Sequence, residues 1–188
     1  MTGSEKRIQK FTLIILAYPI ALILISLGLN AFVFGVAPPI AALPPIQVVY
    51  ALVISGALLV LNHTWLMTAT ELIRLNHNMY ASHEEWAQNN AKKEDVSEQG
   101  WVELDRHHNA HRNTTENTVY FVFLAFIVSM VSPAILTAQI WIISFAIARL
   151  GYTFSALHGK SDLRGFFMSL SLLAIYGLTS YLALSLFA

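Results

Sequence analysis

Every lysine and arginine of this 188-residue chain lies on one side of a series of long apolar runs, and that segregation constrains the fold more than any other feature. A helix needs about 20 mostly apolar residues to cross about 30 Å of hydrocarbon. Runs of this kind extend from Phe11 to Val36, from Gln47 to Thr70, from Ala134 to His158 and from Leu163 to Phe187, with a shorter one from Thr118 to Val131. Five passes place the N-terminus, residues 79–104 and the turn at 159–162 on the same side. Lys6, Arg7, Lys10, Arg74, Lys92, Lys93, Arg106, Arg112, Arg149, Lys160 and Arg164 all fall on that side or in helix ends near it. Positive charge marks the cytoplasmic face. The expectation is therefore an all-α integral membrane protein of five spans, with the N-terminus and loop 79–104 cytoplasmic and the C-terminus outside. The membrane of choice is a bacterial inner membrane.

Composition agrees. Apolar residues make up 56% of the chain and charged residues 12%, with a mean hydropathy of +0.58, so polar groups cannot cover the surface of a soluble fold. The formal net charge of zero excludes the basic face that nucleic acid requires. The absence of cysteine excludes disulfides, thiolate metal sites and a cysteine nucleophile.

The first run ends at the uncharged linker APPIAALPPI, residues 37–46, whose prolines cannot continue a helix. Residues 1–46 thus read as an N-terminal anchor helix with its linker, too long an apolar run for a cleaved signal peptide, and residues 47–188 as a four-helix bundle. Residues 79–104 are polar and acidic and read as a solvated loop with little periodicity, with Trp86 and Trp101 at headgroup level. The third span is unusual. Its clean apolar run of 14 residues covers roughly 21 Å at 1.5 Å per residue, so the helix must borrow polar residues upstream. Arg112, Asn113 and Glu116 are drawn towards the membrane.

Arg106, Asn109, Asn113 and Glu116 recur at helical steps and line one stripe, with Arg112 in reach of Glu116. Ionisable groups at such depth normally face a bundle interior or a wet cavity and mark a site. The bland alternative is a simple Arg112–Glu116 pair. Arg149 lies inside the fourth span and Arg164 opens the fifth. Together with Arg74 they suggest a pocket for a small anionic ligand, because the guanidinium stays charged and binds carboxylates bidentately. Snorkelling to lipid phosphate is the alternative for Arg164. His107 and His111 in HHNAH are spaced for a metal, but no second cluster accompanies them, and no metal is expected.

The segment VELDRHHNAHRNTTENTVYF, residues 102–121, resembles the second-helix signature of the MAPEG family, the membrane-associated proteins of eicosanoid and glutathione metabolism. Residues 61–86 resemble that family's first helix and loop, and ARLGYTFSALHGKSDLR, residues 148–164, its third helix and the turn into the fourth. The resemblance implies a MAPEG-like four-helix bundle, here with one additional N-terminal transmembrane helix, assembled as a homotrimer. It implies glutathione as co-substrate, no metal, and a lipophilic small molecule arriving from membrane lipid. Arg74, Arg112, Asn113, Glu116, Arg149 and Tyr152 match glutathione-binding positions, and Arg164 matches the arginine that stabilises the thiolate. The expected activity is that of a microsomal-type glutathione transferase or peroxidase on lipophilic electrophiles or lipid hydroperoxides. Departures from the family pattern at Asn109, Thr114, Tyr120, Ala156, Gly165 and Met168 keep a second reading open. That reading is a non-catalytic lipid-binding or accessory subunit of a larger membrane complex.

Overall fold

The structure is a computed structural model that describes residues 3–188; Met1 and Thr2, the start of the charged N-terminal stretch, lie outside the described residues. Its long elements are all helices: α1 (Gly3–Gly28, continued by a π-helical turn, Leu29–Phe34), α2 (Ile46–Asn76), the short α3 (His83–Gln88), α4 (Glu98–Ser129), α5 (Ile135–Leu157) and α6 (Ser161–Ser185). The π-helical turn and α1, α2, α5 and α6 supply four segments long and apolar enough to cross a membrane. α4, the third of the expected spans, is not among them because its first half is polar, yet it packs against α2, α5 and α6 as a full member of the bundle. The polar residues upstream of its short apolar run belong to the same continuous helix, and the protein is an integral membrane protein.

Hydrogen bonds fix the ends of the bundle. The amides of Ile40 and Ala42 in the proline-rich linker donate to Val131 and Met130 at the α4–α5 turn. Tyr181 near the end of α6 accepts from the amides of Ala37 and Ala134. The linker, the α4–α5 turn and the end of α6 therefore share one end. The start of α1, the end of α2, the start of α4, the end of α5 and the start of α6 share the other, where the charges lie.

α5 is the central helix, touching α2, α4 and α6. Its tightest seam is with α6, where glycine on each helix admits an aromatic ring from the other. A Cβ on Gly177 would stand 2.4 Å from the Trp141 ring, and one on Gly151 would stand 2.4 Å from Phe167. Phe121 of α4 stacks on Phe145 of α5 with ring centroids 4.0 Å apart, which closes the core between those two helices.

α1 lies against α6 and runs parallel to it. Asn30 is fully buried and donates through Nδ2 to the Gly177 carbonyl and to Ser180 Oγ, both at 2.8 Å, while its Oδ1 accepts from Trp141 Nε1 at 2.8 Å. The π-helical turn disturbs the normal backbone ladder, and Thr137 Oγ1 donates to the carbonyls of Phe34 and Gly35 there. Nearer the charged end Tyr18 donates to Ser169 at 2.8 Å. The N-terminal helix is thus fastened to the bundle by polar groups within the same chain, not by apolar contact alone.

The segment expected to be a featureless loop is partly ordered. Ser82 caps α3 by accepting from the Glu85 amide, and Glu85 accepts in return from the Ala81 amide. Ser97 caps α4 in the same way, so that helix begins well before Leu104. Trp86 packs with Met79 and Leu104 in a small core and donates its indole N–H to the Tyr80 carbonyl at 3.0 Å.

Candidate functional site

The buried stripe of α4 passes through Leu104, His107, Ala110, Thr114, Asn117 and Phe121, at the three- and four-residue steps of one helix face. Asn113 flanks that stripe and meets Arg149 from α5. The Arg149 side chain is 0% exposed. Its Nη2 donates to Asn113 Oδ1 at 3.0 Å and to Thr114 Oγ1 at 2.6 Å, its Nη1 reaches Ser171 Oγ of α6 at 3.4 Å, and the guanidinium lies 4.2 Å from the Tyr152 ring centroid. Among the described residues no carboxylate pairs with it, and its Nε has no partner. A buried cation held by neutral oxygens and an aromatic face is incompletely compensated, a condition that favours an anion nearby.

Tyr152 links this cluster to a second feature. On its side towards the charged end, a cavity of about 320 Å³ is lined by Tyr152, Arg164, Arg106, Asn109 and Asp105. Arg164 and Tyr152 are therefore brought together, and Arg149 and Asn113 lie immediately beneath. Arg106 and Asn109, read from the sequence as part of the polar stripe, belong to the same cavity. The cavity holds two guanidinium groups and one carboxylate, a charge set suited to a ligand that carries both carboxylates and an ammonium.

Three predicted residues lie elsewhere. Arg112 and Glu116 are exposed on the outer flank of α4, and among the described residues they form no ion pair with each other. Arg74 pairs with Glu71, contacts His108 Nε2 at 3.2 Å, and faces a different cavity of about 200 Å³ with Tyr80, Trp86 and Trp101. Sequence reasoning missed Thr114 and Ser171 as partners of Arg149. The available signal was a small hydroxyl residue on each neighbouring helix at the depth of an intramembrane arginine.

The histidines do separate structural work. His107 lies 23 residues before Met130, roughly 34 Å along the helix and so beyond the hydrocarbon. It is buried, and burial, reinforced by the Arg106 charge, holds its pKa below the ordinary value. His108 is lowered for the same first reason, with Arg74 as the neighbouring cation. His77 meets Glu103 at 3.3 Å, and hydrogen bonds from Gln99 and then His77 hold the Glu103 carboxyl below the usual range. His111 approaches His63 of α2 edge to face, with ring centroids 5.9 Å apart.

Comparison with known proteins places these features. The family model described as "MAPEG family" matches residues 52–184. A curated protein of the dog, Canis lupus familiaris, named prostaglandin E synthase, is 29% identical over 120 residues, which cover 64% of this chain and 76% of that protein. Both the buried cluster around Arg149 and the cavity around Arg164 fall inside the matched segment, whereas α1 falls outside it.

Proposed function

The chain belongs to the MAPEG family, and from that premise we propose that it binds glutathione at the charged end of the bundle and joins its sulfur to a lipophilic electrophile, or reduces a lipid hydroperoxide with it. The observation that carries this reading is the Arg149 cluster. A fully buried arginine without a carboxylate partner is held by Asn113 and Thr114 and capped by Tyr152, which itself faces the cavity of Arg164. Arg149 is a positioning residue in this scheme, since it orders Asn113 and Tyr152. Arg106 meets the tripeptide's carboxylate end, Arg164 its thiol, and Asp105 its ammonium.

The chemistry asked of Arg164 is simple. A free thiol has a pKa near 8.5, and a fixed cation beside it favours the thiolate, which is the nucleophile. The thiol proton leaves to solvent, the sulfur pair attacks the electrophilic carbon, and the displaced pair departs with the leaving group or takes up a proton. On a hydroperoxide the thiolate attacks the distal oxygen, the O–O bond breaks, the lipid leaves as an alcohol after taking up a proton, and a second glutathione attacks the resulting sulfenic acid to give the disulfide and water. Positioning and thiolate stabilisation supply the rate.

The exposed Arg112 and Glu116 support a site completed by assembly. Charged side chains facing hydrocarbon are unfavourable by several kcal/mol, and they are normally covered by protein or water. A homotrimer in which a neighbouring copy covers this flank of α4 would place Arg112 and Glu116 at a subunit boundary. The cavity of about 320 Å³ stands at the low end for small-molecule sites, consistent with a ligand also held from a neighbouring subunit. The charged end then faces the cytoplasm of a bacterial inner membrane, where reduced thiols are supplied.

The test is thermal stabilisation of the detergent-solubilised oligomer. Glutathione should raise Tm where an equivalent mixture of its free amino acids does not, and Arg112→Ala should weaken that effect. Arg164→Ala should retain binding and lose turnover with a model electrophile. An unchanged Tm at millimolar glutathione, with the oligomer intact, defeats the proposal and favours a non-catalytic lipid-binding or accessory subunit.

A further inference from the structure

α2 and α5 run side by side in the same direction, and their register is set by specific contacts. Gln139 donates to the Gln47 carbonyl at 3.2 Å, Ser55 donates to the Ile142 carbonyl at 2.9 Å, and the Trp65 and Phe154 ring centroids stand 6.4 Å apart. Two helical turns beyond the Ser55–Ile142 contact stand Asn62 on α2 and Arg149 on α5. They therefore share one level of the seam. Thr153 follows Arg149 by one turn, and Leu66, one turn beyond Asn62, packs with Tyr152 and Ala156 and closes the seam towards the charged end.

Asn62, Arg149 and Thr153 are each 0% exposed and short of partners. Among the described residues neither amide atom of Asn62 has a hydrogen bond, nor has Arg149 Nε or Thr153 Oγ1. Thr64, Thr70, Thr118 and Thr179 each donate to the carbonyl four residues earlier in their own helix, whereas Thr153 does not. Its hydroxyl is free for a guest. The unmet groups are rich in donors, with one hydrogen on Nε, two on Nδ2 and one on the hydroxyl, against Asn62 Oδ1 and the hydroxyl oxygen as acceptors. They also surround a charge. Arg149 lies about 21 Å along α5 from Ile135, at 1.5 Å per residue, and among the described residues no carboxylate pairs with it. A water molecule at this level would answer the donors and leave the cation uncompensated. A small anion answers both, and an unpaired buried charge is the costlier of the two deficits.

We propose that Asn62, Thr153 and the Nε edge of Arg149 bind one small monatomic anion, of which chloride is the abundant case, in the seam between α2 and α5. The full enclosure of all three side chains limits the guest to this size. The anion supplies the counter-charge that the chain itself does not give Arg149, while Asn113, Thr114 and Ser171 hold the remaining guanidinium nitrogens. The site lies inside a single protomer and stands whether or not glutathione is a substrate.

The full-length protein in detergent, without glutathione, is melted in sodium gluconate into which sodium chloride or sodium bromide is titrated at constant ionic strength. Either halide should raise Tm along a saturating curve, by about 3–6 °C at a tenfold excess over its Kd. Asn62→Leu and Thr153→Val each remove donors from the site and should cut that rise by more than half, whatever they do to Tm in gluconate. Thr114→Asp sets a fixed carboxylate beside the guanidinium. It should abolish the halide-dependent rise while keeping Tm in gluconate at least at the wild-type value. Lys93→Ala, which removes an exposed cation of the loop, should keep the full rise and so separates the site from screening at the surface. Equal Tm in chloride and gluconate overturns the proposal and leaves water as the guest. A rise that does not saturate, that survives Thr114→Asp, or that is undiminished in both Asn62→Leu and Thr153→Val overturns it as well.

Discussion

Thr114 Oγ1 accepts from Arg149 Nη2 at 2.6 Å, the shortest of the bonds that hold the buried guanidinium. Replacing it with valine keeps the shape and removes the acceptor. An unsatisfied buried donor costs about 1–3 kcal/mol, and somewhat more when charged. Thr114→Val should therefore lower Tm measurably in detergent. Thr114→Asp restores an oxygen at the same side-chain position with a compensating charge, and should be clearly more stable than the valine variant. Equal destabilisation by both would show that the bond contributes nothing to holding Arg149.

The α5–α6 seam predicts a sharper sensitivity. A Cβ on Gly177 meets the rigid Trp141 indole at 2.4 Å, and Trp141 is itself held by Asn30. Overpacking of this kind typically costs about 1–3 kcal/mol. Gly177→Ala should lower Tm, whereas Gly56→Ala, which meets nothing within 4 Å, should not. Differential scanning of the two variants side by side decides the matter.

The one-sided distribution of charge made the bundle legible before any coordinates, because the bilayer forces apolar length and sidedness into the sequence itself. Helix limits followed closely where prolines or turns interrupt the apolar runs, as at Pro45 and Pro133. Residues 79–104 were less legible. Their order comes from two serine caps and a small tryptophan core, local features that hydropathy does not register. The site was half legible for a geometric reason. Arg149, Asn113, Tyr152 and Arg164 do lie together or adjacent, but helical spacing alone did not say that Arg112 and Glu116 turn outward, while Asn113 turns towards α5. That Asn30 binds within its own chain depended on Trp141 and Ser180, residues more than a hundred positions away.

The pH response of the charged end has a definite sign. His107 and His108 resist protonation in the folded protein, chiefly because burial disfavours the charged ring. The unfolded chain takes up protons at the ordinary histidine value of 6.5, so stability is full above that pH and declines as pH falls below it, levelling at the lower folded pKa. His107→Gln, which cannot titrate, should flatten the fall of Tm in this window. Glu103, whose carboxyl is also lowered, acts in a separate window below its ordinary value of 4.5; because its charge also favours the His107 cation, Glu103→Gln should remove the acid window while leaving the histidine fall at least as deep. A Tm profile from about pH 8 to about pH 3 separates the two.

Asn30 makes the last prediction the most direct test of how α1 is attached. Its side chain satisfies the Trp141 N–H and gives both amide hydrogens to α6, in a setting where water is absent. Interhelical hydrogen bonds in membranes contribute about 0.6 kcal/mol on average and up to about 2 kcal/mol, because the separated helices find other partners. Asn30→Leu removes three bonds at once and leaves the indole N–H buried without an acceptor. α1 should then loosen from α6 while α2, α4, α5 and α6 remain packed. Two observations should move together: Trp141 should become accessible to a lipid-borne fluorescence quencher, and the linker at residues 37–45 should become more sensitive to protease. Asn30→Gln, which keeps both functions on a longer arm, should fall between wild type and leucine. If Asn30→Leu leaves Trp141 unquenched and the linker resistant, apolar packing along α1 suffices to hold the helix, and the polar contacts are not what fixes its place.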